Sequence, residues 1–155
     1  MNETADYPHT PRSAEILLVE DSTADIALIQ EALLESKLLN NLHVVTDGEE
    51  AMAFLRNEGR HASAPRPDLI LLDLNLPRKN GREVLTEIKQ DASLSIIPVV
   101  ILTVSEDEKD IFESYRLHAN CYIKKPVQFA DFIKIVQSIE NYWFTIVTLP
   151  HRPGI

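Results

Sequence analysis

Short, wholly apolar runs alternate along this chain with stretches in which apolar positions recur every three or four residues. The apolar runs fall at residues 16–19 (ILLV), 42–45 (LHVV), 69–72 (LILL), 99–102 (VVIL) and 121–123 (CYI). Runs of this length and composition predict strands, and those without a polar member predict strands buried on both faces. Between them lie helix starts. Ser22-Thr23-Ala24-Asp25 has the form of a capping box, followed by Ile26, Ile29 and Leu33 at helical spacing. Asp47-Gly48-Glu49-Glu50 opens a helix carrying Ala51, Phe54 and Leu55, and residues 80–83 open one carrying Val84, Leu85 and Ile88. Residues 105–108 open a fourth with Ile111, Phe112 and Tyr115, and Phe129, Phe132, Ile133, Val136 and Ile139 stripe a fifth. The Gly, Ser and Pro content of residues 59–67 predicts a loop. Five strand–helix units in succession predict a parallel sheet with helices on both faces.

Residues 1–13 are polar, with Pro8 and Pro11, and read as a mobile arm. The chain of 155 residues is long enough for one domain with a real core. Its net charge of −9 argues against nucleic acid and against anionic membranes as partners. No apolar run reaches membrane-spanning length, and the N-terminus has no apolar segment of the secretory type. Cys121 has no second cysteine to pair with, as suits a reducing compartment, so a cytoplasmic protein is expected.

Chemistry gathers at the strand ends. Glu20-Asp21, Asp73, Thr103 and Lys125-Pro126 each close an apolar run. In an open parallel sheet such positions meet at the carboxyl edge, where ligands bind. Clustered acids attract a hard divalent cation, and a hydroxyl with an ammonium suits a phosphoryl group. Blander readings exist for each. Asp73 could cap a loop, Asp21 could support a helix N-terminus, and Thr103 could simply be a β-branched strand residue. Against the second, Ser22 already serves as the cap.

Four segments carry a resemblance: LLVEDS (17–22), LILLDLNLPRKNG (69–81), VVILTVS (99–105) and NCYIKKPV (120–127). They resemble the receiver domain of two-component response regulators, over roughly residues 14–141. The resemblance implies a doubly wound, flavodoxin-like five-stranded parallel sheet of order 2-1-3-4-5. It implies Asp73 as phosphoacceptor, and Asp21, Asp73 and the backbone carbonyl of Asn75 as Mg²⁺ ligands, with Glu20 acting through a bound water. Thr103 would be the switch hydroxyl, Lys125 the partner of the phosphoryl group, and Tyr122 the aromatic switch residue, which is equally readable as a buried strand aromatic. Lys125-Pro126 would be a candidate cis peptide. Lys124 should face the other side of its strand, in solvent. His118 stands where many receivers have glycine, and histidine tolerates the left-handed turn that position requires. A phosphorelay role for His118 is the weaker reading.

Residues 142–155 follow the last helix. Tyr142, Trp143, Phe144, Ile146, Val147 and Leu149 make this extension apolar and β-prone. With LPRKNG and LHANCYIKKP, it resembles the single-domain regulators that partner bacterial phytochrome kinases. That resemblance implies a homodimer with the extension in the contact; the alternative is an extension folded onto its own domain. The partners implied are a sensor histidine kinase, a phytochrome, and a histidine phosphotransfer protein as one downstream route. The protein would then catalyse only its own phosphorylation and dephosphorylation. Two other functions remain in view. One is a Mg²⁺-dependent phosphohydrolase using an aspartyl phosphate, which needs a general acid where this chain has Asn75. The other is a receiver-shaped binding module independent of phosphate.

Overall fold

The computed structural model of the protein describes residues 13–35 and 39–146. Five strands, β1 (Ala14–Val19), β2 (Asn40–Val45), β3 (Leu69–Leu72), β4 (Val99–Thr103) and β5 (Cys121–Lys124), alternate with five helices. The helices are α1 (Thr23–Leu34), α2 (Gly48–Leu55), α3 (Gly81–Gln90), α4 (Glu108–Arg116) and α5 (Phe129–Asn141). All strand pairs are parallel, in the order β2-β1-β3-β4-β5.

Side-chain alternation along the strands builds two cores. Leu17, Val19, Ile70, Leu72, Val99 and Ile101 face α2 and α3, meeting Phe54, Leu85 and Ile88 among others. Ile16, Leu18, Leu69, Leu71, Val100 and Leu102 face α1 and α5, meeting Ile29, Leu33, Phe132, Val136 and Ile139. Every residue of β3 and β4 is buried, because both strands are covered on both sides. The predicted order and the doubly wound layers are therefore observed.

Several local expectations hold in detail. Ser22 accepts from the Asp25 amide, Asp47 from the Glu50 amide, and Asn80 and Glu83 close a reciprocal capping box. His118 adopts φ 69°. The Ala119 amide donates to the Ser114 carbonyl and the His118 amide to the Tyr115 carbonyl, so His118 ends α4 in a Schellman turn.

Others are corrected. The loop at 59–67 contains a short 3-10 turn, Gly59–His61. α4 begins at Glu108 and is capped by Asp107 rather than by the expected Ser105. The Ser105 hydroxyl donates to Asp110, and its carbonyl accepts from the Tyr122 hydroxyl, which holds Ser105 outside the helix. The apolar stripe of α4 stays largely uncovered: Phe112 is 67% and Tyr115 48% exposed, because α4 packs chiefly on the edge strand β5. Cys121 lies on that edge strand, half-buried against the α1–α5 core. No peptide bond among the described residues is cis, so Lys125-Pro126 is trans.

The extension continues α5 as π-helical turns over Tyr142–Ile146 instead of forming a strand. Trp143 is buried in the core beneath α5, Phe144 is half-buried against the same core, and Tyr142 is half-exposed. Val147 and Leu149, the side chain of Ile146, and residues 1–12 of the expected arm lie outside the described residues. Among the described residues no helix is long and apolar enough to cross a membrane.

Candidate functional site

Four neighbouring strands, β1, β3, β4 and β5, deliver their C-terminal residues to one edge of the sheet. The strand order reverses direction between β1 and β3, and a crevice at such a reversal is where open α/β sheets bind ligands. Glu20-Asp21 follows β1 and Asp73 follows β3, so the acids flank this point. Glu20, Asp21 and Asp73 each bring a carboxylate oxygen within 4.8 Å of the others. Asp21 is exposed, whereas Glu20 and Asp73 are buried.

Lys125 enters this acid cluster from the far side of β4. It is buried, and its Nζ lies 2.5 Å from Glu20 Oε2, 2.8 Å from Asp25 Oδ2 and 3.2 Å from Asp73 Oδ2. Burial by itself would pull the ammonium down, but the hydrogen bonds to Asp25 and Glu20 and the nearby Asp73 outweigh it and raise Lys125 above the ordinary lysine range. Burial pushes the Glu20 carboxyl up to about 7 despite the Lys125 hydrogen bond, and the neighbouring Asp73 charge adds to the rise. The other Glu20 oxygen accepts from the Asp21 and Ser22 amides, both at 3.1 Å. Both Glu20 oxygens thus have protein partners, which suits contact with a cation through water.

Asp73 is held from three sides. Its amide donates to the Val19 carbonyl, its Oδ1 accepts from the Asn75 amide at 3.3 Å, and Oδ2 faces Lys125. The loop that follows is packed tightly against two glycines. A Cβ on Gly81 would stand 2.2 Å from the Asp73 carbonyl oxygen, and one on Gly48 would stand 2.0 Å from that of Lys79. Arg78 turns this loop at φ 64°, with its guanidinium near Asp47 and Glu49.

Thr103 ends β4 fully buried, and its hydroxyl oxygen has no hydrogen-bond partner among the described residues. A buried hydroxyl left without a partner is costly and calls for an explanation. Here it sits at the strand end beside the acids, where a ligand oxygen would satisfy it. Tyr122 is half-buried against the α2–α3 core. Its hydroxyl donates to the Ser105 carbonyl at 2.8 Å, and its amide donates to the Tyr115 hydroxyl at 3.2 Å. Lys124 points outward and pairs with Glu106.

Glu20, Asp25 and Asp73 surround the single Lys125 ammonium, and Asp21 adds a fourth carboxylate beside Glu20 and Asp73, so the acids outnumber the one cation. A hard divalent cation is the chemical species such an excess of oxygen ligands fits. By local pattern Asp25 is a capping-box acid. Ser22 does cap the Asp25 amide, at 3.3 Å, but its own amide is satisfied by Glu20, so the Asp25 carboxylate turns to Lys125 instead. No local signal marks this role, because the partner Lys125 lies 100 residues away in the chain.

An acid cluster fit for a divalent cation, beside a buried ammonium and an unpartnered hydroxyl at the carboxyl edge of a five-stranded parallel sheet, gives this site the form of a receiver-type domain. The comparisons make the class specific: the response regulator receiver domain family matches residues 16–137, and the chain belongs to that family. Response regulator Rcp1 of Synechocystis sp. is 55% identical over 135 residues, covering 87% of this chain and 92% of that protein. The crystal structure of the phosphorylated cyanobacterial phytochrome response regulator RcpA is similar at a TM-score of 0.88 and 56% identity, covering 90% of this chain and all of that one. The Mn²⁺-bound form of response regulator Rcp1 follows at 0.85 and 54%, covering 89% of this chain and 99% of that one.

Proposed function

We propose that the protein accepts a phosphoryl group from the phosphohistidine of a phytochrome-type sensor histidine kinase onto Asp73. The carrying observation is the buried Lys125 ammonium shared by Glu20, Asp25 and Asp73, with the unpartnered Thr103 hydroxyl at the same sheet edge. A carboxylate oxygen of Asp73 attacks phosphorus in line with the phosphorus–nitrogen bond. That bond breaks, its electron pair stays on the donor imidazole, and a proton on the ring's other nitrogen leaves the donor neutral. Lys125 and Thr103 would take two phosphoryl oxygens.

Asp21, Asp73 and the Asn75 carbonyl would hold Mg²⁺, with Glu20 acting through water. When bound, the cation offsets the repulsion between the carboxylate and the incoming phosphoryl oxygens. The donor set supports this reading. Support for the phytochrome partner comes from the relatives' own descriptions.

Switching would run through β4. Thr103 drawn toward the phosphoryl group pulls on Ser105, two residues on, to which the Tyr122 hydroxyl is bonded. Tyr122 is already half-buried here, so the change reported by that contact is a population shift rather than a full rotation. The protein would have no turnover substrate, and Asn75 cannot serve as the general acid a phosphohydrolase requires. The phosphoryl group would pass to a histidine phosphotransfer protein or act through surface contacts in the cytoplasm.

We read residues 14–141 as the receiver unit and 142–155 as an extension that contributes to a homodimer. Supporting this, Tyr142 is half-exposed beside an open apolar cavity of about 230 Å³ bordered by Ile123, Ile135, Ile139 and Trp143. The phosphorylation test uses acetyl phosphate and Mg²⁺ with intact mass as readout. The wild type should gain one phosphoryl group and Asp73→Asn none. Labelling of Asp73→Asn at the wild-type rate would overturn the assignment. Sedimentation of the full chain at high micromolar concentration tests the dimer, and a monomer there, phosphorylated or not, refutes it.

A further inference from the structure

Three carboxylates hold Lys125, and they are of two kinds. Glu20 and Asp73 belong to the acid cluster in which the oxygens lie within 4.8 Å of one another. Asp25 stands outside that cluster, in the first turn of α1, and its Oδ2 is 2.8 Å from the Lys125 ammonium.

We propose that Asp25 is a positioning residue for phosphorylation, holding Lys125 in place while the cluster acids engage the cation and the incoming phosphoryl group. This rests on Asp73 being the phosphoacceptor. An ammonium has three donors and no acceptor. With one donor committed to Asp25, two remain for oxygens at the reacting centre. Glu20 and Asp73 cannot give Lys125 the same hold once a cation competes for their oxygens; Asp25, outside the cluster, can. Lysine sits on a flexible four-carbon stem and needs such a tether. Without it the ammonium has no fixed partner while a cation holds the cluster acids, and its placement at the reacting centre is lost.

Two features make Asp25 fit for this. Its helix is rigidly seated, with Ile29, Ala32 and Leu33 buried and Ser22 capping its start. Its carboxylate also has no local task, because the Ser22 amide that it would otherwise accept from is already bonded to Glu20. The side chain is partly exposed, at 23%, so it can be replaced without opening the core.

The test is a double-mutant cycle on the full chain with acetyl phosphate at saturating Mg²⁺, following the initial rate of phosphoryl gain by mass. Asp25→Asn should slow the wild type by on the order of tenfold, the scale on which small misplacements of a reacting group act. Asp25→Glu should recover most of the rate. In a Lys125→Met background, Asp25→Asn should change the rate less than about twofold, because the group it positions is gone. An equal fold-loss in both backgrounds would show a structural or bulk-charge role and overturn the proposal, as would an unchanged rate in Asp25→Asn alone. Should Lys125→Met be too slow to time, the Lys125 ammonium resonance in Mg²⁺-loaded, ¹⁵N-lysine-labelled protein decides. It should persist in wild type and Asp25→Glu and broaden away in Asp25→Asn; persistence in Asp25→Asn overturns the proposal. A wild type that takes no label, or Asp73→Asn that does, instead refutes the phosphoacceptor reading.

Discussion

Replacing Gly81 with alanine sets two physical effects against each other, and the sign of the outcome decides between them. Gly81 is the first residue of α3, where alanine is intrinsically better by about 0.5–1 kcal/mol. Propensity alone therefore predicts a stabilised protein. The packing predicts the reverse. The new Cβ would lie 2.2 Å from the Asp73 carbonyl oxygen and 2.6 Å from Leu74 Cα. Both are backbone atoms, so no side chain can turn aside, and the contact must open by about 1 Å. Overpacking of this kind costs about 1–3 kcal/mol or more. Set against the propensity gain, a net loss of about 1 kcal/mol or more is expected, or about 0.5 M or more in the urea midpoint for a chain of this size. The same shift moves Asp73, whose amide is bonded to Val19, and a displacement of about 1 Å at a reacting group costs up to about a hundredfold in rate. Urea unfolding and acetyl phosphate labelling on the same preparation check both. Gly59→Ala is the control: its φ is 57° with open space around it, so it should lose about 1 kcal/mol and label normally. A Gly81→Ala protein as stable as wild type, labelling at the wild-type rate, would refute the reasoning.

Glu20→Gln addresses the raised Glu20 carboxyl. Its folded value of about 7 lies above that of the unfolded chain, so folding retains the proton and the benefit is present below about pH 4.5 and lost as pH rises through 7. In chelator-treated protein the wild type should therefore lose about 3 kcal/mol relative to Glu20→Gln between pH 4.5 and 8, and parallel urea-unfolding curves would contradict this. Thr103→Val removes an unpartnered buried hydroxyl and should leave stability unchanged or raised, while slowing phosphoryl gain. Matched unfolding midpoints with a slower labelling rate are the expected readout. Truncation after Asn141 removes Trp143 from the core beneath α5 and should cost about 2–3 kcal/mol in urea unfolding; an unchanged midpoint would mean that the residue contributes nothing to the domain.

Most of the fold could be read from local pattern because its information is local. A run such as LILL at 69–72 can be satisfied only by burial on both sides, and caps such as Asn80 with Glu83 act within one turn. The five strand–helix units then leave few topologies, since parallel crossovers are right-handed and short. Glu20, Asp21, Asp73, Thr103 and Lys125 could be singled out as candidates because each closes a strand, and the sheet order gathers strand ends without reference to side-chain detail.

What tertiary structure alone decided depends on residues far apart in the chain. Ser105 lost its place as a helix cap because Tyr122, 17 residues later, bonds its carbonyl. Phe112 and Tyr115 keep a helical stripe left largely exposed among the described residues, since the periodicity of a helix does not say how far the next layer extends. Trp143 looks on composition like part of an exposed sticky segment, yet the continuation of α5 carries it back into its own core. Asp25 was indistinguishable from a capping acid until Lys125, 100 residues away, was seen to take its carboxylate. The sequence by itself determined which segments become strands and helices and which strand ends carry chemistry, because period, caps and apolar runs are properties of neighbouring residues. Which partner each polar group finds was settled only by the packed fold, because a buried charge takes whatever opposite charge the topology brings within reach.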